Sequence, residues 1–257
     1  MLETIDINKI VAIAKEAGTA IMTIYAKDFE VEFKEDESPL TEADKTANTI
    51  ICEALQKLYP AIPILSEENK AAEYDERKNW EYLWVIDPLD GTKEFIKKNG
   101  EFTVNIALVH NNTPVLGVVY APALDITYYA KQGNGAVKEQ GNDTLKLPIK
   151  TNTAPEKVLT VVASRSHLSP ETETFIDSLS KTTESVTMTS IGSSLKLCLV
   201  AEGEADYYPR LAPTMEWDTA AADAVVRESG KMTYQFETNE PVVYNKENLL
   251  NPWFIVK

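Results

Sequence analysis

A chain of 257 residues, 44% hydrophobic and 25% charged, can bury a large core in one domain or in two lobes that share a cleft. Its formal charge of −15 disfavours binding to nucleic-acid polymers, which requires neutralising phosphates, but leaves room for a small phosphorylated ligand held by metals and a few basic residues. No segment reaches membrane-spanning length, the start MLETIDINKI lacks the pattern of a secretory signal, and Cys52 and Cys198 stand far apart in apolar contexts, as buried thiols in a reducing cytosol would.

Residues 6 to 27 carry an apolar stripe, Ile7, Ile10, Val11, Ala14, Ala17, Ile21 and Ile24, at helical spacing. Phe29 to Phe33 alternates as a short strand, and Ser38-Pro39 marks a loop. Thr41 or Asp44 is placed to cap a helix over about 45 to 58. Ile62 to Leu65 predicts a strand that ends at Ser66-Glu67-Glu68, and 69 to 79 a polar, charged surface segment, flexible or helical. Tyr82-Leu83-Trp84-Val85-Ile86 is a buried strand running into Asp87-Pro88-Leu89-Asp90-Gly91-Thr92. Pro88 should stop that strand, Gly91 permits a sharp turn, and Thr92 can cap the short helix that follows.

Strands at 103 to 110, 115 to 120, 126 to 130 and 136 to 137, joined by turns, predict an antiparallel meander. Residues 138 to 157 are rich in turn formers, which suggests an N-terminal α+β lobe over 1–155 and a C-terminal α/β lobe over 156–257. In the second lobe strands are expected at 158 to 163, 186 to 190 and 205 to 208, and helices near 170 to 180, 195 to 202 and 217 to 228. Gly230 suits the last of these as a C-terminal cap, and Val242-Val243-Tyr244 and Trp253 to Val256 supply further strand.

The chemistry gathers on carboxylates. Glu67, Asp87, Asp90 and Asp218 each lie at the end of an apolar segment or the start of a helix. Turned inward together, four carboxylates repel one another unless cations neutralise them. Without a Cys or His cluster beside them, oxygen ligands point to magnesium. Asp87 can bridge two ions, and the Leu89 carbonyl can add a neutral ligand. Such ions activate a water and stabilise a leaving oxygen, with Glu67 and Thr92 taking and orienting the water's proton. The N–H groups of Gly91 and Thr92 suit phosphate oxygens. Taken singly, the same motifs read as an acidic turn that caps a helix and a solvent-facing acidic loop.

In combination, Glu67-Glu68, Asp87-Pro88-Leu89-Asp90-Gly91-Thr92 and Trp217-Asp218, with Leu40-Thr41-Glu42-Ala43-Asp44 upstream, resemble the magnesium-dependent, lithium-sensitive phosphatase superfamily that includes inositol monophosphatase and fructose-1,6-bisphosphatase. Lys93-Glu94-Phe95, Gly192 to Cys198, Ala201 to Arg210 and Pro213 to Ala221 resemble the bacterial 3′(2′),5′-bisphosphate nucleotidases within it, with Leu197 where those carry phenylalanine. The resemblance implies a two-lobed, layered αβαβα sandwich (the sugar phosphatase fold) with the site between the lobes. It implies two or three magnesium ions and loss of the 3′-phosphate from adenosine 3′,5′-bisphosphate. By the same resemblance Glu67, Asp87 and the Leu89 carbonyl hold the first ion, and Asp87, Asp90 and Asp218 the second. Asp44 helps hold a third ion or its waters. Lys196 and Arg210 face the remaining phosphate, with Ser193, Ser194 and His167 nearer the nucleotide. A packing or surface role is the plainer alternative for Lys196 and Arg210.

Two other readings compete with the nucleotidase. One is an inositol monophosphatase or broader sugar phosphatase, with the same metals and no nucleobase pocket. The other is a non-catalytic nucleotide- or metal-binding module, against which the intact acidic set argues. The resemblance further implies lithium sensitivity and a cytoplasmic role in clearing the by-product of sulfate activation, and it fits a monomer or a homodimer.

Overall fold

Seven strands build the central sheet: β1 (Ile64–Ser66), β2 (Tyr82–Asp90), β3 (Thr103–His110), β4 (Thr113–Ala121), β5 (Ile126–Lys131), β6 (Ala136–Gln140) and β7 (Asp143–Lys146). They lie side by side in chain order, β1 parallel to β2 and every later pair antiparallel, so the expected meander is present. The computed structural model describes residues 1–26, 42–150, 158–163 and 168–257. The strand expected at 29 to 33, Thr41, the boundary near 155 and His167 lie outside them.

The apolar run of β2 is continuous because helices cover both of its faces. Trp84 and Ile86 point to one side, where α1 (Ile7–Tyr25) brings Ile10, Ala14, Ala17 and Ile21 and α2 (Glu42–Leu58) brings Ala43, Ala47, Ile51 and Leu55. Leu83 and Val85 point to the other, against α6 (Leu195–Glu202) and α7 (Ala220–Glu228). The alanines of α7 let it lie unusually close to β4. A Cβ on Gly117 would stand 2.1 Å from the Ala221 carbonyl oxygen, so only glycine fits there.

Beyond α6 and α7, β8 (Val158–Val162) and β9 (Ser185–Thr189) run parallel, connected through α5 (Pro170–Ser180). β10 (Tyr208–Arg210), β12 (Phe254–Val256) and β11 (Thr233–Gln235) pair antiparallel in that order. A bridge between Val161 and Tyr207 joins the two groups. α6 packs on β8 and β10, α7 on β11, and α5 on β9 and β10. The order helices, sheet, helices, sheet, helix is the expected layered sandwich. Helices from the second half of the chain thus cover a sheet made by the first.

Several expectations change. Pro88 does not end its strand. β2 continues to Asp90 through a bulge: Asp87 pairs with Asn105 and Asp90 with Thr103, so one extra residue is absorbed where proline owes the ladder no N–H. Gly91, at φ +94°, is the cap of the short helix α4 (Thr92–Ile96), and Thr92 is its first residue instead of its cap. The second helix begins at Glu42, earlier than expected, which puts Asp44 in its first turn. Asp218 precedes α7 rather than lying within it. Within the 69 to 79 surface segment the helical alternative holds over Tyr74–Arg77, the short helix α3, while β7 arises inside the turn-rich 138 to 157 stretch. The strand expected at 205 to 208 is displaced to Tyr208–Arg210. Val242 to Tyr244 forms none: their N–H groups reach Thr233 and Asn112 instead.

Candidate active site

Parallel pairing of β1 with β2 sets the first contact of the site. Ser66 stands beside Ile86, and the Glu67 N–H donates to the Ile86 carbonyl at 3.1 Å, so Glu67, just past the end of β1, lies beside Asp87 at the bulge of β2. The bulge then turns the chain so that Asp87 Oδ1 accepts from the Leu89 N–H at 3.0 Å.

Asp218 arrives from the far half of the chain. Its Oδ2 accepts from the Met215 N–H at 2.9 Å. The neighbouring Glu216, fully buried, anchors this corner by accepting from the Asn245 N–H at 2.5 Å and from the Lys246 N–H at 3.0 Å. Carboxylate oxygens of Glu67, Asp87 and Asp218 consequently lie within 4.8 Å of one another.

Packing acids this closely raises their pKa values. Glu67 is exposed as a residue, yet burial of its carboxyl end, Asp90 and Glu68 push it up to about 7 against a partial offset from its hydrogen bond with Asp87. Burial, then Asp90 and Glu67, bring Asp218 to about 7, opposed by the Met215 N–H and Arg210. Asp87 is pushed well above the carboxylate range by burial, Asp90, Glu67, Asp218 and Asp44 in that order. Asp44 itself is buried in the first turn of α2. Burial also raises Asp90, moderated by hydrogen bonds from Ser194 and by the Lys196 charge. A cluster whose members all resist ionisation is one that a multivalent cation would relieve. Its all-oxygen donor set, without a histidine or cysteine among the described residues, fits a hard divalent ion.

The wall facing the carboxylates is the start of α6. Ser193 adopts φ +47° and its hydroxyl accepts from Thr103 Oγ1 at 3.3 Å. Ser194 is buried and bonded inward: its N–H and Oγ lie 2.6 and 2.8 Å from Asp90 Oδ2. Lys196 is buried, donates to the Ser193 carbonyl at 3.0 Å and stands over the Tyr208 ring. Burial lowers its pKa and Asp90 raises it again. Arg210 donates through Nη2 to the Pro213 carbonyl at 3.0 Å, while its buried Nε has no partner among the described residues. Both cations therefore belong to the charge field of Asp90 and Asp218.

Three residues went unnoticed in the sequence. Asn105 donates to Ser194 Oγ at 2.8 Å from the middle of a buried strand, and a lone amide in Thr103-Val104-Asn105-Ile106-Ala107-Leu108 was the available signal. Glu101 accepts from the Gly192 N–H at 2.8 Å, which ties down the turn before Ser193. A Cβ on Gly192 would meet the Glu101 carbonyl oxygen at 2.6 Å. Glu216 anchors Asp218 from the next position but one.

The inositol monophosphatase family model matches residues 3–252. The chain belongs to the inositol monophosphatase family. Members of this family are metal-dependent, in keeping with the carboxylate cluster. Within the family the chain is 45% identical over 252 residues, 97% of its length, to the 3′(2′),5′-bisphosphate nucleotidase CysQ of Salmonella typhimurium, of which it covers 98%. Identity to the CysQ nucleotidase of Escherichia coli K12 is 44% over 253 residues, covering 97% of this chain and 98% of that one. The crystal structure of CysQ from Bacteroides thetaiotaomicron superposes with a TM-score of 0.89 at 46% identity, covering 99% and 98% of the two chains. The IMPase of Thermotoga maritima gives a TM-score of 0.75 at 27% identity, covering 98% and 91%.

Proposed function

We propose that this family member is a 3′(2′),5′-bisphosphate nucleotidase, a phosphomonoesterase that converts adenosine 3′,5′-bisphosphate and water to AMP and phosphate. The observation that carries the assignment is 45% identity to a CysQ bisphosphate nucleotidase across 97% of a chain whose Glu67, Asp87 and Asp218 converge. The ion is magnesium, with two or three bound per site. Glu67, Asp87 and the Leu89 carbonyl hold the first, and Asp87, Asp90 and Asp218 the second. Asp44 supports a third or its waters. When bound, these ions supply the Lewis acidity that makes water nucleophilic near neutral pH and neutralises the departing oxygen.

The chain's own groups do the rest. Thr92 opens α4 with a hydroxyl that has no protein partner among the described residues, so it is available to orient the attacking water. Glu67 takes that water's proton. The bond from phosphorus to O3′ breaks as the water oxygen bonds to phosphorus, and the 3′-oxygen gains a proton. The N–H groups of Gly91 and Thr92 receive oxygens of the transferred phosphoryl group. Lys196 and Arg210 meet the second phosphate, which an acidic protein needs local cations to hold. Ser193, at the turn above Lys196, and His167 are assigned to the nucleotide side.

No helix among the described residues is long and apolar enough to cross a membrane. A cytoplasmic setting fits the free thiols of Cys52 and Cys198, and we assign the enzyme there as a monomer or homodimer. Product analysis tests the assignment: with adenosine 3′,5′-bisphosphate and magnesium, chromatography should show 5′-AMP and phosphate accumulating together. Accumulation of the 3′-monophosphate, or no phosphate release at all, would overturn it.

A further inference from the structure

The Ser194 hydroxyl sits at a junction of three elements. Its Oγ lies 2.8 Å from Asp90 Oδ2 at the end of β2, 2.6 Å from the Asp218 carbonyl oxygen before α7, and 2.8 Å from Asn105 Nδ2 in β3. The Ser194 N–H adds a further bond to Asp90 Oδ2 at 2.6 Å. Ser194 is 2% exposed and Asn105 1% exposed, so none of this is an incidental surface contact.

A hydroxyl has one proton and two acceptor sites. Asn105 donates into one of those sites. The single proton then has only Asp90 Oδ2 and the Asp218 carbonyl as acceptors. The Asn105 amide oxygen is buried without a partner among the described residues, so this side chain serves that one donated bond. Asp90 Oδ2 is thereby occupied twice by Ser194, while Oδ1 receives no hydrogen bond among the described residues. The geometry fixes which oxygen of Asp90 remains for a cation, and it couples the Asp90 side chain to the backbone of Asp218, the ligand that comes from the other half of the chain.

We infer that Ser194 and Asn105 form a positioning latch that sets the Asp90 carboxylate and the Asp218 backbone in register for metal binding, and that Ser194 does not act as a nucleotide contact. The inference rests on the reading of Asp90 and Asp218 as metal ligands. Hydrogen-bonding partners of ligating groups typically change metal affinity by about ten- to a hundredfold when removed. Ser194→Ala keeps the N–H bond to Asp90 but removes the hydroxyl bridge and leaves the Asn105 amide without its acceptor. Asn105→Ala breaks the same junction from the opposite side.

The test is a calorimetric titration of the protein with magnesium alone, together with activity measured against magnesium and against substrate. Ser194→Ala should weaken metal binding roughly tenfold or more, raise the magnesium concentration for half-maximal activity, and leave the substrate KM at saturating magnesium near wild type. Asn105→Ala should shift the same quantities in the same direction, and the double variant should be little worse than Ser194→Ala, because residues acting through one junction are not additive. Should Ser194→Ala fail to fold, Asn105→Ala carries the test by itself. A raised substrate KM with unchanged metal titration would overturn the latch and restore Ser194 to the nucleotide. Asp90→Asn separates the two layers of the argument: if it binds magnesium as wild type does, the ligand assignment fails and the latch with it. If Asp90→Asn loses metal while Ser194→Ala and Asn105→Ala do not, the latch alone is wrong.

Discussion

Removing the charge of Asp218 should make the metal-free protein more stable at alkaline pH and flatten its pH dependence. Folding lifts this carboxyl from 3.8 to about 7, through burial first and then Asp90 and Glu67. Between those values the folded protein holds a proton that the unfolded chain has released. Stability therefore falls as pH rises, beginning above the unfolded pKa and complete above the folded one. The full interval is worth about 4 kcal/mol as an upper bound, since its neighbours share the penalty, and about 2 kcal/mol of that develops between pH 5.5 and 8. For a chain of this size that corresponds to roughly 4–8 °C in Tm. The assay is thermal unfolding in chelator at pH 5.5 and 8, for wild type and Asp218→Asn. Wild type should melt lower at pH 8, and Asp218→Asn should show a smaller difference, lacking Asp218's share while Glu67 and Asp87 keep theirs. Both proteins share the self-repulsion of the remaining charge, so the comparison isolates the site. A metal-free wild type that melts no lower at pH 8, or an Asp218→Asn protein with the wild-type slope, would refute the reasoning.

Other consequences follow from packing and charge. Gly117→Ala would press a methyl against the α7 backbone, with a Cβ only 2.1 Å from the Ala221 oxygen. It should cost at least about 1–3 kcal/mol in urea unfolding, and an unchanged midpoint would contradict the close helix–sheet approach. Glu101→Gln should loosen the Gly192 turn and raise the substrate KM several-fold with little change in stability, read from steady-state kinetics and a melt. Lys196→Met keeps the buried stem but removes the charge beside Asp90, and should raise KM for a bisphosphate substrate by roughly tenfold or more. A KM left unchanged would assign Lys196 to packing. Millimolar lithium should inhibit in the presence of magnesium, and full activity there would count against the shared metal chemistry.

The sheet and the covering helices were legible because their apolar residues repeat at the spacing of the elements that bury them. Ile10, Ala14, Ala17 and Ile21 mark one helix face, and the unbroken Leu83 to Ile86 run announces a strand buried on both sides. The acidic cluster was legible for a different reason: its members sit in short acidic motifs beside apolar runs or a helix start, and the parallel β1–β2 pairing brings Glu67 to Asp87. What escaped notice depends on partners far away in sequence. Pro88 looked like a strand terminus until the opposite strand supplied a bulge to hold it. The bond from Ser194 to Asp90 spans 104 residues, so nothing local in the sequence announces it. The strand β7 is exposed along its whole length, so no hydrophobic pattern marks it. Val242 and Tyr244 are as apolar and buried as strand residues, but beyond the single bridge at Pro241 their backbones form no continued ladder.

The most direct measurement of the account is magnesium-dependent turnover of adenosine 3′,5′-bisphosphate, inositol 1-phosphate and fructose 1,6-bisphosphate by one preparation, with Asp90→Asn alongside. The account predicts that kcat/KM is highest for adenosine 3′,5′-bisphosphate and that Asp90→Asn loses activity on all three. Preferred turnover of inositol 1-phosphate would contradict the nucleotidase assignment, and full activity in Asp90→Asn would contradict the metal site on which it rests.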